Sequence, residues 1–251
     1  IQTGKGKVKN MKISIISFTE KGIVLSEKIA KLLGEAESVL YTKYGECCKE
    51  RTTAQYVTQN IGEWAKEQFE ERNALLFIGA CGIAVRAIAP HITDKLHDSP
   101  VLVMDENGQY VIPLLSGHVG GANELAVSIA EKIGAESVIT TATDINNKFA
   151  IDLFAKKNGL TIVNKDGIAK VSSKILAGKS IAISIELGHL EKEIKLPKEI
   201  KLTEYPPVQR VDVVITSEDR EFETAILLRP KEYVIGVGCR KEKEVEKRKI
   251  S

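Results

Sequence analysis

The strongest constraint in this sequence is an alternation, in which a short apolar run is followed by a turn and then by a helical pattern. Lys12-Ile13-Ser14-Ile15-Ile16-Ser17-Phe18 reads as a buried strand, Gly22 to Leu33 as the helix after it, and Ser38–Tyr41 as a short strand. Leu75-Leu76-Phe77-Ile78 is a second strongly apolar strand, which Gly79-Ala80-Cys81-Gly82 turns into a helix carrying Arg86. Strands that alternate with helices predict a mainly parallel sheet with helices on both faces, because each parallel connection must cross back over the sheet. The expected fold class is α/β, a three-layer arrangement with a smaller α/β middle unit. Aromatic residues are only 5% of the chain, which suits such a core better than a β-sandwich.

The remaining elements of the first unit follow the same logic. Arg51 to Glu71 reads as one amphipathic helix with Val57, Ile61, Trp64, Ala65 and Phe69 on a shared face. Val101–Met104 and Tyr110–Leu115 flank Glu106-Asn107-Gly108-Gln109, and Asn-Gly is the strongest short hairpin signal. Gly121–Ile133 is helical, Ser137–Thr140 a strand and Asn146–Lys157 the next helix. The character then changes near residue 143. Leu160–Val163, a helix to about Leu176, and Ser180–Ile185 form a smaller unit; the charged segment Glu191–Pro207 and strands at Val211–Ile215 and Thr224–Leu228 follow. The expected division is a flexible leader at 1–10, an N-terminal α/β domain at 11–142, a middle domain at 143–229, and the start of a truncated C-terminal domain at 230–251.

Bulk properties narrow the partners. A net charge of +2 gives no general affinity for polyanions, so nucleic acid is not expected. No apolar run reaches membrane-spanning length and no signal peptide is evident, so no membrane partner is expected either. Four cysteines without CxxC spacing fit a reduced, cytoplasmic protein. Cys47-Cys48 reads as neither a bridge nor a site, Cys81 as a small packed residue, and His189 as part of a turn without catalytic meaning. The segment from His91 to Asp98 matches no standard ligand spacing and reads as a solvated loop, so no metal site is expected.

Chemistry concentrates in Ser116-Gly117-His118-Val119-Gly120-Gly121-Ala122-Asn123-Glu124, which wraps Ser, His, Asn and Glu around three glycines and runs into a helix. His118 is suited to general acid or base work near neutrality, Ser116 to donating to a substrate oxygen, and Glu124 to orienting the histidine. A Ser–His nucleophilic pair is disfavoured, because residues i and i+2 rarely reach hydrogen-bond geometry and G-x-S-x-G is absent. Gly79-Ala80-Cys81-Gly82 with Arg86 offers backbone N–H groups and a guanidinium for a carboxylate, or else is a tight turn beside an exposed arginine. Ligands of open α/β sheets sit beyond the carboxyl ends of the strands, so both loops are expected to line one crevice. Thr143 and Asp144 read as a polar wall of that crevice, or as the N-cap of the helix near Asn146.

LLFIGACGIAVRAIAP, PLLSGHVGGANELA and LRPKEYVIGVGCRK, in this order and spacing, resemble the CbiG family of cobalamin biosynthesis, from Met11 to about Arg240. The resemblance implies a cobalt-precorrin-5A hydrolase. Its substrate would be a cobalt-bound modified tetrapyrrole whose ring-A acetate forms a δ-lactone to C20. Opening that lactone and expelling C20 with its methyl as acetaldehyde would give cobalt-precorrin-5B. Set against that chemistry, His118 with Glu124 would deprotonate water. Ser116 and the N–H groups of Gly120 and Gly121 would hold the oxyanion. Arg86 would bind a peripheral carboxylate, with Gly79, Gly82, Gly117, Asn123, Thr143 and Asp144 completing the substrate site. No cofactor is expected, since the cobalt belongs to the substrate, and the assembly is left open between monomer and homodimer. The alternatives are a non-catalytic corrinoid-binding protein and an unrelated α/β enzyme that holds a phosphorylated small molecule.

Overall fold

A computed structural model describes residues 12–34, 38–45, 52–186, 197–231, 233–234 and 249–250. Contacts divide the chain after Thr141 into two units. The first is built on a seven-stranded sheet in the order β3-β2-β1-β4-β5-β6-β7. Its strands are β1 (Ile13–Ser17), β2 (Ser38–Thr42), β3 (Gln55–Tyr56), β4 (Ala74–Ile78), β5 (Val101–Met104), β6 (Tyr110–Leu115) and β7 (Glu136–Ser137). Every residue of β1, β4 and β5 is buried, as expected for strands covered on both faces.

Alternate residues of these strands feed two cores. Ile13, Ile15, Leu76, Ile78 and Leu102 pack with Ile29 of α1 (Glu20–Leu33) and with Ala126 and Ile129 of α4 (Ala122–Ile133). Ile16, Leu75, Phe77, Val101 and Val103 pack with Trp64 of α2 (Ile61–Glu70) and with Ala84 and Ile88 of α3 (Cys81–Ile88). Each fully buried side chain of this kind is worth roughly 1.5–3 kcal/mol, so both layers hold the sheet. The three-layer α/β expectation describes this unit.

The hairpin at Asn107-Gly108 sets the direction of everything after it. β1, β2, β3, β4 and β5 run parallel, β6 pairs antiparallel with β5, and β7 runs parallel to β6. The β6–α4–β7 segment is therefore a βαβ unit that points opposite to the rest of the sheet. Asp105 fixes the turn, its carboxylate accepting from the N–H groups of Asn107, Gln109 and Tyr110.

Three sequence expectations are corrected here. The helix expected from Arg51 to Glu71 is shorter, α2 beginning only at Ile61, and Arg51 lies outside the described residues. Pairing with the open edge of β2 outweighs helical periodicity: Tyr41 and Thr42 pair with Gln55 and Tyr56, and the Val57 N–H donates to the Thr42 carbonyl. Thr52 Oγ1 accepts from the Ala54 N–H, and Asn60 Oδ1 caps α2 through the Glu63 N–H. The strand expected at Ser137–Thr140 is only Glu136–Ser137. The helix expected at Asn146–Lys157 is two, α5 (Ala142–Ile145) and α6 (Ile151–Lys157). Asn146 Nδ2 donates to the Ala142 carbonyl and Asn147 takes φ 49°, which stops the first.

The second unit carries a five-stranded sheet in the order β10-β9-β11-β12-β8. Its strands are β8 (Leu160–Ile162), β9 (Ile181–Ile185), β10 (Ile200–Thr203), β11 (Val211–Ile215) and β12 (Thr224–Pro230), all parallel except β8. α7 (Asp166–Leu176) buries Ile168, Val171 and Ile175 and packs on β12 and β9. β10 was hidden by charge, because only Ile200 of its four residues is buried. β13 (Tyr233–Val234) and β14 (Lys249–Ile250) pair antiparallel. The leader at 1–10, Cys47, Cys48, His189, Cys239 and most of 230–251 lie outside the described residues.

Candidate active site

The glycine-rich loop emerges at the carboxyl end of β6 and is wound on itself. Ser116 takes φ 56°, and its Oγ donates to the Asp98 carbonyl at 2.8 Å. Asp98 is buried, and its carboxylate accepts from the N–H groups of Thr93 and Asp94 at 3.0 Å each and from Thr93 Oγ1. The loop then closes through three backbone bonds: Gly121 N–H to His118 carbonyl, Ala122 N–H to Ser116 carbonyl, and Asn123 N–H to Gly117 carbonyl. Gly121 caps α4 at φ 89°, where a side chain is strained. A Cβ on Gly120 would lie 2.4 Å from Ser116 Cβ, and one on Gly117 would lie 2.6 Å from Asn123 Oδ1. Asn123 is buried and donates from Nδ2 to Thr141 Oγ1 at 3.1 Å. The winding leaves His118 half-buried at the turn and Glu124 exposed on the first turn of α4.

Two of the expected oxyanion donors are already committed within the protein. The Gly121 N–H goes to the His118 carbonyl and the Ser116 hydroxyl proton to the Asp98 carbonyl. Gly117 and Gly120 follow from close packing, and the loop carries an imidazole, which suits proton transfer near neutrality.

The expected single crevice is overturned. Leu75 pairs with Val101 and Val101 with Leu115, while Ile78 pairs with Met104. Gly79 and Ser116 therefore leave the sheet at opposite ends, roughly 15 Å apart at ~3.3 Å per residue. The cause is the hairpin, which reverses β6 and moves its carboxyl end beside the amino end of β5. Gly79, Gly82 and Arg86 belong to the other end. There, a Cβ on Gly79 would come within 3.0 Å of the Phe18 ring. Arg86 is exposed and folds back on its own helix, Nη1 donating to the Gly82 carbonyl at 3.1 Å. Cys81, expected to be packed, is a free thiol exposed at the start of α3. Thr19, capping α1, donates from Oγ1 to Glu106 Oε2 at 2.9 Å beside this end.

Thr143 and Asp144 are not caps of a later helix. They lie inside α5 of the second unit, with Thr143 buried. Thr141 meets the glycine loop through Asn123. Asp98 is the other residue the sequence reading passed over; its spacing from Thr93 and Asp94, within hydrogen-bonding reach of their N–H groups, was the available signal. His91 Nε2 lies 3.0 Å from the Gly62 carbonyl, and His97 Nδ1 lies 3.1 Å from Asp94 Oδ2. Among the described residues no group of three His, Cys, Asp or Glu side chains is placed to hold a metal ion.

These features define a mainly parallel α/β protein with a histidine held on a glycine-wound βα loop. The family described as "Cobalamin synthesis G N-terminal" matches residues 63–144, which include that loop, and "Cobalamin biosynthesis central region" matches 149–230. The chain is 32% identical over 245 residues to "Cobalt-precorrin-5A hydrolase" of Salmonella typhimurium, covering 94% of this chain and 68% of that protein. It is 29% identical over 244 residues to the protein of the same name from Priestia megaterium, covering 90% and 64%. A "Probable cobalt-precorrin-5A hydrolase" of Methanocaldococcus jannaschii is 29% identical over 238 residues, covering 92% and 62%. The chain belongs to the CbiG family. It spans 62–68% of the length of these relatives.

Proposed function

We propose that this chain opens the δ-lactone of cobalt-precorrin-5A and releases acetaldehyde, with His118 as the general base. Water gives a proton to the imidazole and adds to the lactone carbonyl, and collapse frees the ring-A acetate and a hydroxyl on C20. Loss of that hydroxyl proton expels C20 with its methyl group as acetaldehyde, the electron pair passing into the conjugated macrocycle. The cobalt is part of the substrate, and the protein supplies no metal or cofactor of its own. The reduced thiol usage fits a cytoplasmic setting, and no described helix is long and apolar enough to cross a membrane.

The observation that carries this reading is the position of His118, half-buried on a loop closed by three backbone hydrogen bonds, inside the stretch the family matches. The test is anaerobic incubation of the chain with cobalt-precorrin-5A, following acetaldehyde enzymatically and the macrocycle by mass. The expected result is acetaldehyde in step with a ring-opened product. Tight binding with no acetaldehyde above the protein-free rate would make the chain a corrinoid carrier and sink the proposal.

A further inference from the structure

The second unit contains a cleft of about 320 Å³ that the reaction above does not use. Strand order produces it. β9 lies between β10 and β11, so residues 204–210 must pass across β9 to connect them. Beneath this crossing β9 contributes Ala182, a methyl where a larger side chain would fill the space. The crossing follows a fixed path at its start: Ser184 Oγ donates to the Glu204 carbonyl and the Tyr205 hydroxyl meets Thr216 Oγ1, each at 2.8 Å. The Arg220 guanidinium lies over the Phe222 and Tyr205 rings, 4.6 and 5.9 Å from their centroids.

The lining selects a ligand chemistry. Pro207, Val208 and Val211 give an apolar wall, and Glu204 and Arg210 bring charges of opposite sign to the same cleft. Val208 is 90% exposed, so its apolar surface stands in water. Among the described residues neither the Arg210 guanidinium nor the Glu204 carboxylate takes part in an ion pair or hydrogen bond. Two unlike charges that share a cleft without pairing are complementary to one molecule that carries both signs. A simple anion would be drawn by Arg210 but repelled by Glu204, and a simple cation the reverse, so the two effects offset. A neutral apolar molecule would use neither charge.

We propose that this cleft binds a small zwitterion with an apolar side chain, its carboxylate on Arg210, its ammonium on Glu204 and its side chain on Val208 and Val211. The space holds roughly ten waters at ~30 Å³ each, which sets the scale of a free aliphatic amino acid. This site is separate from the hydrolase reading, and the acetaldehyde assay neither supports nor weakens it.

The test is titration calorimetry of the whole chain with L-leucine and L-methionine, beside N-acetyl-L-leucine, which lacks the ammonium, and L-leucinamide, which lacks the carboxylate. Leucine or methionine is expected to bind, and each leucine derivative to bind at least about tenfold more weakly, the loss of one charge-assisted contact. Arg210→Gln and Glu204→Gln should weaken binding to a similar degree with the urea midpoint unchanged. Absence of binding by both amino acids overturns the proposal. So does binding that is indifferent to either derivative or either variant, and so does binding of succinate in place of leucine.

Discussion

After β4 the chain turns through Gly79-Ala80-Cys81-Gly82, and after β6 it turns through Ser116 to Gly121; the two turns use their glycines differently. At the β6 turn Gly117 and Gly120 make room for Asn123 and Ser116, and the backbone donors of Gly121, Ala122 and Asn123 point back into the loop. At the β4 turn Ala80 supplies no side-chain cap, Cys81 and Gly82 stay exposed, and Arg86 lies along its own helix. The richer motif is a rigid mount for one imidazole, and the plainer one is an open helix start. Density of glycine thus reports how tightly a loop is packed, and only indirectly whether it meets a ligand.

The largest expected effect separates the two turns by activity. His118→Ala should lower kcat for acetaldehyde release by about 10²–10⁴, the usual contribution of a positioned base. Arg86→Ala, at the other end of the sheet, should leave kcat and KM within about threefold, since it offers no charge-assisted contact to a substrate at His118. Steady-state kinetics of both variants decide it. A tenfold rise in KM for Arg86→Ala with His118→Ala active would place the substrate at the β4 turn instead.

The next effect separates them by packing. Gly120→Ala drives a methyl into Ser116 and should cost about 1–3 kcal/mol, as overpacking does. At Gly82 the nearest atom to an added Cβ is Arg86 Nη1 at 3.0 Å, the far end of a flexible, exposed side chain. Gly82→Ala should therefore be neutral, or stabilising by up to ~1 kcal/mol from helix propensity. Urea unfolding of both variants measures the difference, and equal costs would erase the contrast.

The smallest effect concerns the layer beneath the β4 turn. Burial, and after it the Glu71 carboxylate, push the Tyr41 phenol above its ordinary value. The folded state therefore holds this proton more tightly than the unfolded chain. The stability it contributes is fully present below about pH 10, the ordinary tyrosine value, and is lost as pH rises through the raised folded value. Tyr41 stacks edge-on against Trp64, the single tryptophan, with centroids 5.3 Å apart, so Trp64 fluorescence reports unfolding. Tyr41→Phe should flatten the alkaline decline of stability. An unchanged slope would assign the decline to other groups.

Much of this architecture was legible in the sequence, and the main error was legible too. β1, β4, β5, α1, α4 and α7 lie within a few residues of their expected positions because each buries an apolar face, and β6 does because the Asn107-Gly108 turn places it. The Asn107-Gly108 hairpin was read correctly, yet its consequence was not carried through. An antiparallel hairpin between β5 and β6 obliges their carboxyl ends to lie at opposite edges, so the two glycine loops could not share a crevice. What periodicity could not supply was tertiary competition. Gln55 and Tyr56 leave a helical pattern because β2 offers an unpaired edge, and β10 hides because an edge strand buries one residue in four. At the glycine loop the residues were legible but their partners were not, since Asp98 and Thr141 reach it only through the fold.

The reversal of β6 also bears on how the first unit assembles. β1 must find β4 about sixty residues away before their pairing rewards the closed loop, a slow, entropy-limited search. β5 and β6 meet across a turn of a few residues, and such hairpins close in roughly 1–10 μs. β7 then joins β6 through a single helix. The half of the sheet that mounts His118 is thus made of near neighbours in sequence, and its pairings close far shorter loops than the pairing of β1 with β4.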